Sequence, residues 1–364
     1  MLKFCLKFFI SSIVVFIFIP FGYSQNQKNI YYFSLKKKSS ISKLKQPTFS
    51  SSLETPCWPT LNQAFLKNEP LENYIQPTAS GNIISGTYGC VRNNGHRFHE
   101  GIDIKSTQRN HRNIPQDKVF ATLSGKIVYI NQKAGLSSYG QYIVLEHTEK
   151  NLHFYTLYAH LACIEKSLTI NQYVKQHQCL GQIGNTSCSR IPMARAHLHF
   201  EIGLKLGNES TFSQWYAKQK FPTKNKHGQW NGLNLIGLNP LDFLKSNLSF
   251  SEFIKQQPKA FALAISSNKT PDFIQKNQAL LVNALPKSKI YGWEITFNWV
   301  GVPIQWIPIN HPLKEKITLK SYNKTELLRL GNRHTLEFNP KGRPFIGIIL
   351  QRQLFELFGE NFQF

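Results

Sequence analysis

The sequence has 364 residues, of which 41% are hydrophobic and 17% are charged. This length suits two ordinary domains, and the composition excludes an intrinsically disordered chain. The formal net charge of +23 predicts attraction to polyanions such as cell-wall polymers, anionic lipids or nucleic acids, although an AT-rich genome would also enrich the chain in lysine. The sequence contains no Lys/Arg-rich recognition helix and no aromatic RNA-binding signature, so we expect no nucleic-acid partner.

The N-terminus has the pattern of an export signal. Lys3 and Lys7 give it a positive start, and residues 8–21 are almost wholly apolar. Small residues then precede a cleavage site after Ser24, so we predict a secretory signal peptide over residues 1–24 and an exported protein, periplasmic or associated with the cell wall. A retained membrane anchor is the alternative, but the apolar run is shorter than the ~20 residues that a spanning helix needs. We expect membrane contact only through an uncleaved signal.

Residues 25–75 are interpreted as a basic linker and N-terminal extension, because the first half of this segment is rich in Ser, Lys and Gln. Ordered structure should begin near Cys57. After removal of the signal an odd number of cysteines remains, so at least one thiol is left over even where export permits disulfides. Spacing does not show which of them pair. The cysteines are Cys57, Cys90, Cys163, Cys179 and Cys188.

Short β-branched runs dominate residues 76–246. Residues 126–130 and 141–145 are two examples, and glycines between such runs mark turns. Short strands at this spacing predict an all-β sandwich. Residues 203–236 show no clear periodicity, so they are interpreted as a long surface insertion.

Residues 250–364 are predicted to form a second β-rich domain. Large apolar residues alternate with polar ones over 293–299 and again over 304–306, with a Val-Gly turn between the two runs. This pattern predicts a half-buried β-hairpin. Its aromatic stripe suits a sandwich core, and a carbohydrate-binding face is the alternative. The sequence predicts no role for this accessory domain.

Three short motifs contain the residue types that bind metals or move protons. They are an H-x-x-x-D from His99 to Asp103, a Y-x-H-L from Tyr158 to Leu161, and an H-x-H from His197 to His199. Each pattern is short enough to occur by chance, so each needs structural context before it indicates a function.

Strand parity provides that context, because residues two apart in a β-strand face the same side. If the apolar residues of 197–202 enter the core, the polar ones share the other face; these are His197, His199 and Glu201. The same parity turns Asp103 outward between two inward isoleucines. It also predicts that Tyr158 and His160 share the outward face. One sheet could therefore bring all these polar groups together.

Two imidazoles and one carboxylate suit Zn²⁺, because a catalytic zinc takes three protein ligands and leaves one position for water. A His-Asp-His ligand set leaves two histidines spare. Those suit general acid–base work, since an imidazole titrates near neutral pH.

These motifs resemble those of the lysostaphin/LytM-type zinc metallopeptidases, which cleave peptidoglycan cross-bridges. All three motifs occur in the family's order. The flanking sequences also resemble those of the family, both at residues 85–89 and in the run from 174 to 186 that precedes the H-x-H. The resemblance covers residues ~76 to 246 and implies an antiparallel β-sandwich with an open groove. The basic stretch at residues 108–112 and the insertion at residues 203–236 depart from the family pattern, and both are expected to flank the groove.

The resemblance implies one zinc ion per chain, with His99, Asp103 and His199 as ligands. It implies His160 and His197 as the catalytic pair, and peptidoglycan as the partner. The expected function is therefore zinc-dependent hydrolysis of peptidoglycan cross-links. Two alternatives are a catalytically silent wall-binding protein or hydrolase activator, and a secreted metallopeptidase that acts on proteins. The bond that is cut and the oligomeric state are not predicted.

Overall fold

The computed structural model describes residues 54–92, 97–327 and 333–362. The predicted signal peptide at residues 1–24 and residues 25–53 of the predicted linker lie outside these ranges, and both stay predictions. Within the described ranges, no helix has the length and hydrophobicity needed to cross a membrane.

An antiparallel sheet forms the centre of the described chain, and a short hairpin of β1 (Val91–Arg92) and β2 (Arg97–Phe98) precedes it. The nine strands of this main sheet are β3 (Ile102–Lys105), β4 (Lys118–Phe120), β5 (Gly125–Asn131), β6 (Gln141–Glu149), β7 (Leu152–Ile164), β8 (Tyr173–Val174), β9 (Cys179–Ile183), β10 (His197–Lys205) and β11 (Leu235–Leu238). Strands β11, β10, β7, β6, β5 and β8 are neighbours in that order, and β9 pairs with both β7 and β4.

Strand β10 organises the part of the sheet that contains the predicted motifs. One of its edges pairs with β7, and the other pairs first with β3, over residues 197–200, and then with β11, over residues 202–205. Its apolar side chains Leu198, Phe200 and Ile202 are fully buried in the main hydrophobic core. Burial of each such side chain stabilises the fold by about 1.5–3 kcal/mol, so the core fixes which face of β10 points inward.

The C-terminal part contains a second antiparallel sheet. Its strands are β12 (Phe261–Ser266), β13 (Gly292–Phe297), β14 (Pro303–Ile309) and β15 (Ile317–Tyr322), in the order β14-β13-β12-β15, and a small hairpin follows, of β16 (Leu336–Phe338) and β17 (Pro344–Ile346). The α-helices are α1 (Glu209–Lys218), α2 (Pro240–Ser246), α3 (Phe250–Lys255), α4 (Asp272–Lys276), α5 (Lys324–Leu327) and α6 (Ile348–Phe358). The predicted β class with antiparallel sheets is confirmed, and the predicted hairpin is the pair β13–β14.

The segment at residues 203–236 is not simply a surface insertion. It begins as the end of β10, contains helix α1, and returns as β11 beside β10. Asn208 caps α1 by accepting the N–H of Thr211, and Phe212 and Trp215 of the helix are buried against Phe355 of α6. The sequence prediction missed this helix because only three residues, Phe212, Trp215 and Tyr216, form its apolar face. Three positions are too few to show a helical period.

The main sheet and the C-terminal part share one hydrophobic core. The rings of Phe154 and Phe250 are stacked with centroids 4.1 Å apart, and the side chain of Asn277 accepts the N–H of His153 at 2.8 Å. The domain boundary near residue 250 stays a prediction. No disulfide bond joins any two of the five cysteines from Cys57 to Cys188, all of which are described.

We predict that Phe250→Ala lowers the free energy of unfolding by about 3–5 kcal/mol, because it removes a fully buried ring between the two parts and leaves a cavity. Chemical denaturation followed by tryptophan fluorescence measures the change. Ile348→Ala is the control, because Ile348 is 71% exposed and its truncation should shift the unfolding free energy by less than about 0.5 kcal/mol. Equal effects of the two substitutions would contradict a core that continues through Phe250.

Candidate metal centre

The H-x-H histidines and Asp103 meet across two paired strands. His199 on β10 lies directly opposite Asp103 on β3. Leu198 and Phe200 belong to the main core, so His197 and His199 face away from it. The predicted alternation on these two strands is confirmed.

Three donor atoms converge on the side of β10 that faces away from the core. His99 Nε2 lies 3.0 Å from Asp103 Oδ1 and 3.1 Å from His199 Nδ1. The distance between Asp103 Oδ1 and His199 Nδ1 is 2.9 Å. In a tetrahedral site with bonds of about 2.0–2.1 Å, zinc donors are separated by about 3.3 Å. The donor types are those that zinc prefers, and the separations fall only a few tenths of an ångström short of that value. These three side chains therefore fit a zinc ion.

Hydrogen bonds on the outer side of each ring determine which nitrogen faces the centre. His99 Nδ1 donates to the carbonyl of Thr87 at 2.7 Å, and His199 Nε2 donates to Glu201 Oε1 at 2.8 Å. A carbonyl or carboxylate oxygen can only accept, so the outer nitrogen of each ring carries the proton. The inner nitrogens can then present lone pairs to a metal, and the outer partners hold the rings in place.

Glu201 is fully buried and orients His199. Its Oε1 also accepts the hydroxyl of Tyr139 at 2.6 Å, and its Oε2 accepts the hydroxyl of Tyr155 at 2.8 Å. Burial would raise the pKa of Glu201, but the hydrogen bonds and charge of His199, helped by the two tyrosines, outweigh it and lower the pKa. The strand alternation in the sequence predicted that Glu201 lies on this face, but it assigned no role to this residue. The two tyrosines belong to no motif, although Tyr155 pairs with Gly203 two residues beyond Glu201.

His160 reaches the site through an irregularity in β7. Its backbone φ is +60°, and the register of β6 against β7 shifts between Gln141 and Ile143. Tyr158 packs in the main core, where its hydroxyl accepts the N–H of Thr122, while His160 turns to the opposite face. The prediction that Tyr158 and His160 share a face was wrong, because a β-bulge adds one residue to the strand and interrupts the alternation.

His160 and His197 lie side by side next to the three donor atoms, with ring centroids 4.7 Å apart. His160 Nδ1 donates to the carbonyl of Thr186 at 2.8 Å, and His197 Nδ1 donates to the carbonyl of Arg195 at 2.7 Å. In the neutral ring, each Nε2 therefore carries a lone pair. His197 Nε2 is 3.6 Å from Asp103 Oδ1, which places this nitrogen at the edge of the centre.

The electrostatics of the centre favour a bound cation. Burial would raise the pKa of Asp103, but the charges of His99 and His197 outweigh it and hold that pKa well below its ordinary value. Burial lowers the pKa of His199, but hydrogen bonds with Asp103 and Glu201 outweigh this effect and raise the pKa to about 9. The same two carboxylates that attract this proton would attract a metal cation in its place.

The pKa of His160 shifts in the other direction. Burial lowers it well below its ordinary value, and the charges of His197 and His199 add to this effect. His160 is therefore neutral near pH 7, with a lone pair on its Nε2. The structure thus brings together all five residues that the sequence singled out, and their division into ligands and catalytic groups stays a prediction.

The basic stretch at residues 108–112 contributes one side chain to the surroundings of the centre. Arg109 donates hydrogen bonds to the carbonyls of Met193 at 3.0 Å and of Ala194 and Ala196 at 3.4 and 3.5 Å. These carbonyls belong to the segment that leads into His197, so the guanidinium fixes the start of β10.

The sequence pattern of peptidase family M23 matches residues 97–211, which contain all five residues of the site. No curated protein matches the chain. Among solved structures, the chain is similar to the catalytic domain of the antimicrobial peptidase lysostaphin from Staphylococcus simulans, with 22% identity over 48% of this chain and 95% of that one and a TM-score of 0.29.

Two further solved structures show a similar level of likeness. A zinc-containing peptidase from Vibrio cholerae has 25% identity over 35% of each chain, with a TM-score of 0.25. A putative glycyl-glycine endopeptidase, lytM, from Ruminococcus gnavus has 23% identity over 40% of this chain and 45% of that one, with a TM-score of 0.26. The aligned region thus spans about a third of the Vibrio cholerae peptidase and under half of the Ruminococcus gnavus one. By the sequence match, residues 97–211 form a domain of the peptidase family M23 type, and the residues assembled on β3, β7 and β10 lie within it.

Proposed function

We propose that this protein is a zinc-dependent endopeptidase that hydrolyses the peptide cross-links of bacterial peptidoglycan. The observation that supports it most directly is the convergence of three zinc-type donor atoms beside two histidines whose Nε2 atoms carry lone pairs. In this proposal His99, Asp103 and His199 hold one zinc ion per chain. A zinc ion held there would supply the Lewis acidity that makes water a nucleophile and a carbonyl an electrophile near neutral pH.

The two remaining histidines of the site move protons in the proposed reaction. The oxygen of the attacking water forms a bond to the carbonyl carbon of the peptide, and one imidazole takes the proton that the water gives up on its Nε2. An imidazolium close to the carbonyl oxygen stabilises the negative charge that develops there. The C–N bond then breaks, and the leaving amine takes a proton from His160 or His197, so that water is added across the bond.

Peptidoglycan as the substrate and an exported location are supported by the sequence. The predicted signal peptide would deliver the chain to the compartment that contains the cell wall, and the net charge of +23 would attract it to anionic wall polymers. The match of residues 97–211 to peptidase family M23 supports the same class of substrate, because the predicted resemblance is to enzymes that cleave peptidoglycan cross-bridges.

Digestion of purified sacculi tests the proposal. We expect the zinc-loaded chain to release soluble cross-link fragments, which mass spectrometry identifies, and we expect His199→Ala to release none. Binding to sacculi without release of fragments would favour a silent wall-binding protein. Cleavage of an unstructured protein but not of sacculi would favour a secreted metallopeptidase with a protein substrate.

Zinc content should separate the two histidines of the H-x-H motif. We expect His199→Ala to lose most of its zinc along with activity, because this residue provides one of the three donor atoms. His197→Ala and His160→Ala should lose activity but keep close to one zinc ion per chain, because they remove proton transfer and leave the donors in place. Atomic absorption on the purified variants measures this. A zinc-replete His199→Ala beside a zinc-free His197→Ala would reverse the assignment.

Glu201→Gln should weaken zinc binding by about tenfold, because it removes the charge that orients His199 and makes it a better donor. Titration against a chromophoric chelator gives the dissociation constant. Tyr158→Phe is the matched control: it leaves the buried N–H of Thr122 without its acceptor, which costs about 1–3 kcal/mol of stability, but it should leave zinc affinity unchanged. A weaker affinity in Tyr158→Phe would place Tyr158 at the site after all.

A further inference from the structure

Four ionisable side chains lie between the main sheet and the C-terminal part, and three of them are buried while Glu100 is half-buried. Two are acids and two are bases, and electrostatic interactions link all four into one cluster. The residues are Glu100, Arg333, Arg352 and Glu356. Glu100 directly follows His99, Arg333 precedes β16, and the other two lie one turn apart on α6.

Arg333 contacts the chain on both sides of His99. Its Nη2 forms an ion pair with Glu100 Oε1, and the centre of its guanidinium lies 4.0 Å from the centroid of the Phe98 ring. The other oxygen of Glu100 accepts the N–H of Gly237 at 3.2 Å, and Phe98 also contacts the ring of Trp299 at 5.7 Å. The segment that carries His99 is therefore held by residues more than 130 positions away in the sequence.

This cluster is expensive to bury. The side chain of Arg333 is only 4% exposed. Within the part of the chain that the structure describes, its Nε, the Nε of Arg352 and both carboxylate oxygens of Glu356 are buried and have no hydrogen-bond partner. Arg352 Nε and Glu356 Oε1 are 3.6 Å apart. Apolar side chains of similar volume would often hold such an interface as well or better, so stability alone does not account for these charges.

We propose that Arg333 is a positioning residue for the metal ligand His99, so that the C-terminal part completes the metal centre. This inference rests on the proposed function. The imidazole of His99 is fixed by the carbonyl of Thr87, and its backbone hydrogen-bonds to Gly89 and Cys90. Its neighbours Phe98 and Glu100 hold the other side of this segment, and Arg333 contacts both. Groups that orient metal ligands commonly change metal affinity by about 10–100-fold when they are lost.

A purely structural role would have different consequences. If Arg333 only attached the C-terminal part to the sheet, its loss would lower the unfolding temperature of the metal-free chain and leave the zinc affinity of the folded protein unchanged. If it positions His99, the zinc affinity of the folded protein must fall. The coordination geometry reported by a bound cobalt ion must change as well. These two measurements separate the roles, and neither depends on activity.

The experiment uses the full chain and measures three quantities: the zinc dissociation constant by chelator competition, the visible absorption of the Co²⁺-substituted protein, and thermal unfolding without metal. We expect Arg333→Ala to weaken zinc binding at least tenfold and to change the Co²⁺ spectrum. Arg333→Lys should recover part of the affinity, because lysine keeps the charge but has neither the planar fork nor the stacking surface of a guanidinium. Glu100→Gln, which is nearly isosteric, should weaken binding in the same direction.

Glu360→Gln is the control, because it breaks the exposed ion pair with Lys316 in the same C-terminal part, and it should change none of the three quantities. If Arg333→Ala does not fold, Glu100→Gln and Arg333→Lys decide the question. Folded variants with wild-type zinc affinity and an unchanged Co²⁺ spectrum would overturn the inference and leave the proposed function standing. A wild-type chain that binds no zinc would overturn both.

Discussion

The antiparallel register of β10 against β3 is the constraint on which the candidate centre depends. It places His199 opposite Asp103 and, two residues earlier, brings His197 to the same face. A slip of one residue would turn these side chains into the core and bring Leu198 and Phe200 to the surface of the site. The fully buried Phe200 and Ile202 prevent such a slip, so the packing on one face of β10 fixes the chemistry on the other.

The rest of the centre consists of oxygen atoms that accept hydrogen bonds from the histidine rings and so fix their orientation. Three histidines donate to backbone carbonyls of Thr87, Thr186 and Arg195, all in connecting segments, while His199 donates to the carboxylate of Glu201 within its own strand. Loops thus provide the orientation, and the sheet provides the position. Because every ring has one nitrogen engaged, four histidines can be packed together while each still offers its other nitrogen to the reaction or the metal.

The period of two allowed the sequence to predict a large part of this site. On β3 and β10 the alternation is regular, and Asp103, His197 and His199 lie where parity places them. On β7 the prediction from strand alternation failed, because nothing in the sequence around His160 indicates a β-bulge. Tyr139, Tyr155 and Arg333 were also beyond reach, since each contacts the site from a distant segment without a local pattern. The helix of residues 209–218 was missed for a related reason: its burial depends on α6, more than 130 residues later.

The left-handed backbone of His160 has a consequence for how such sequences change over time. Glycine adopts this conformation without steric cost, whereas histidine, although it occurs there more often than most residues, pays about 1–2 kcal/mol. Under the proposed function, proton transfer by the imidazole is the reason to keep a histidine in this strained position. In a gene copy released from that need, replacement of this histidine by glycine would increase stability while it removed the imidazole. Loss of function by drift would then be favoured first at the bulge, before any of the three donors changed.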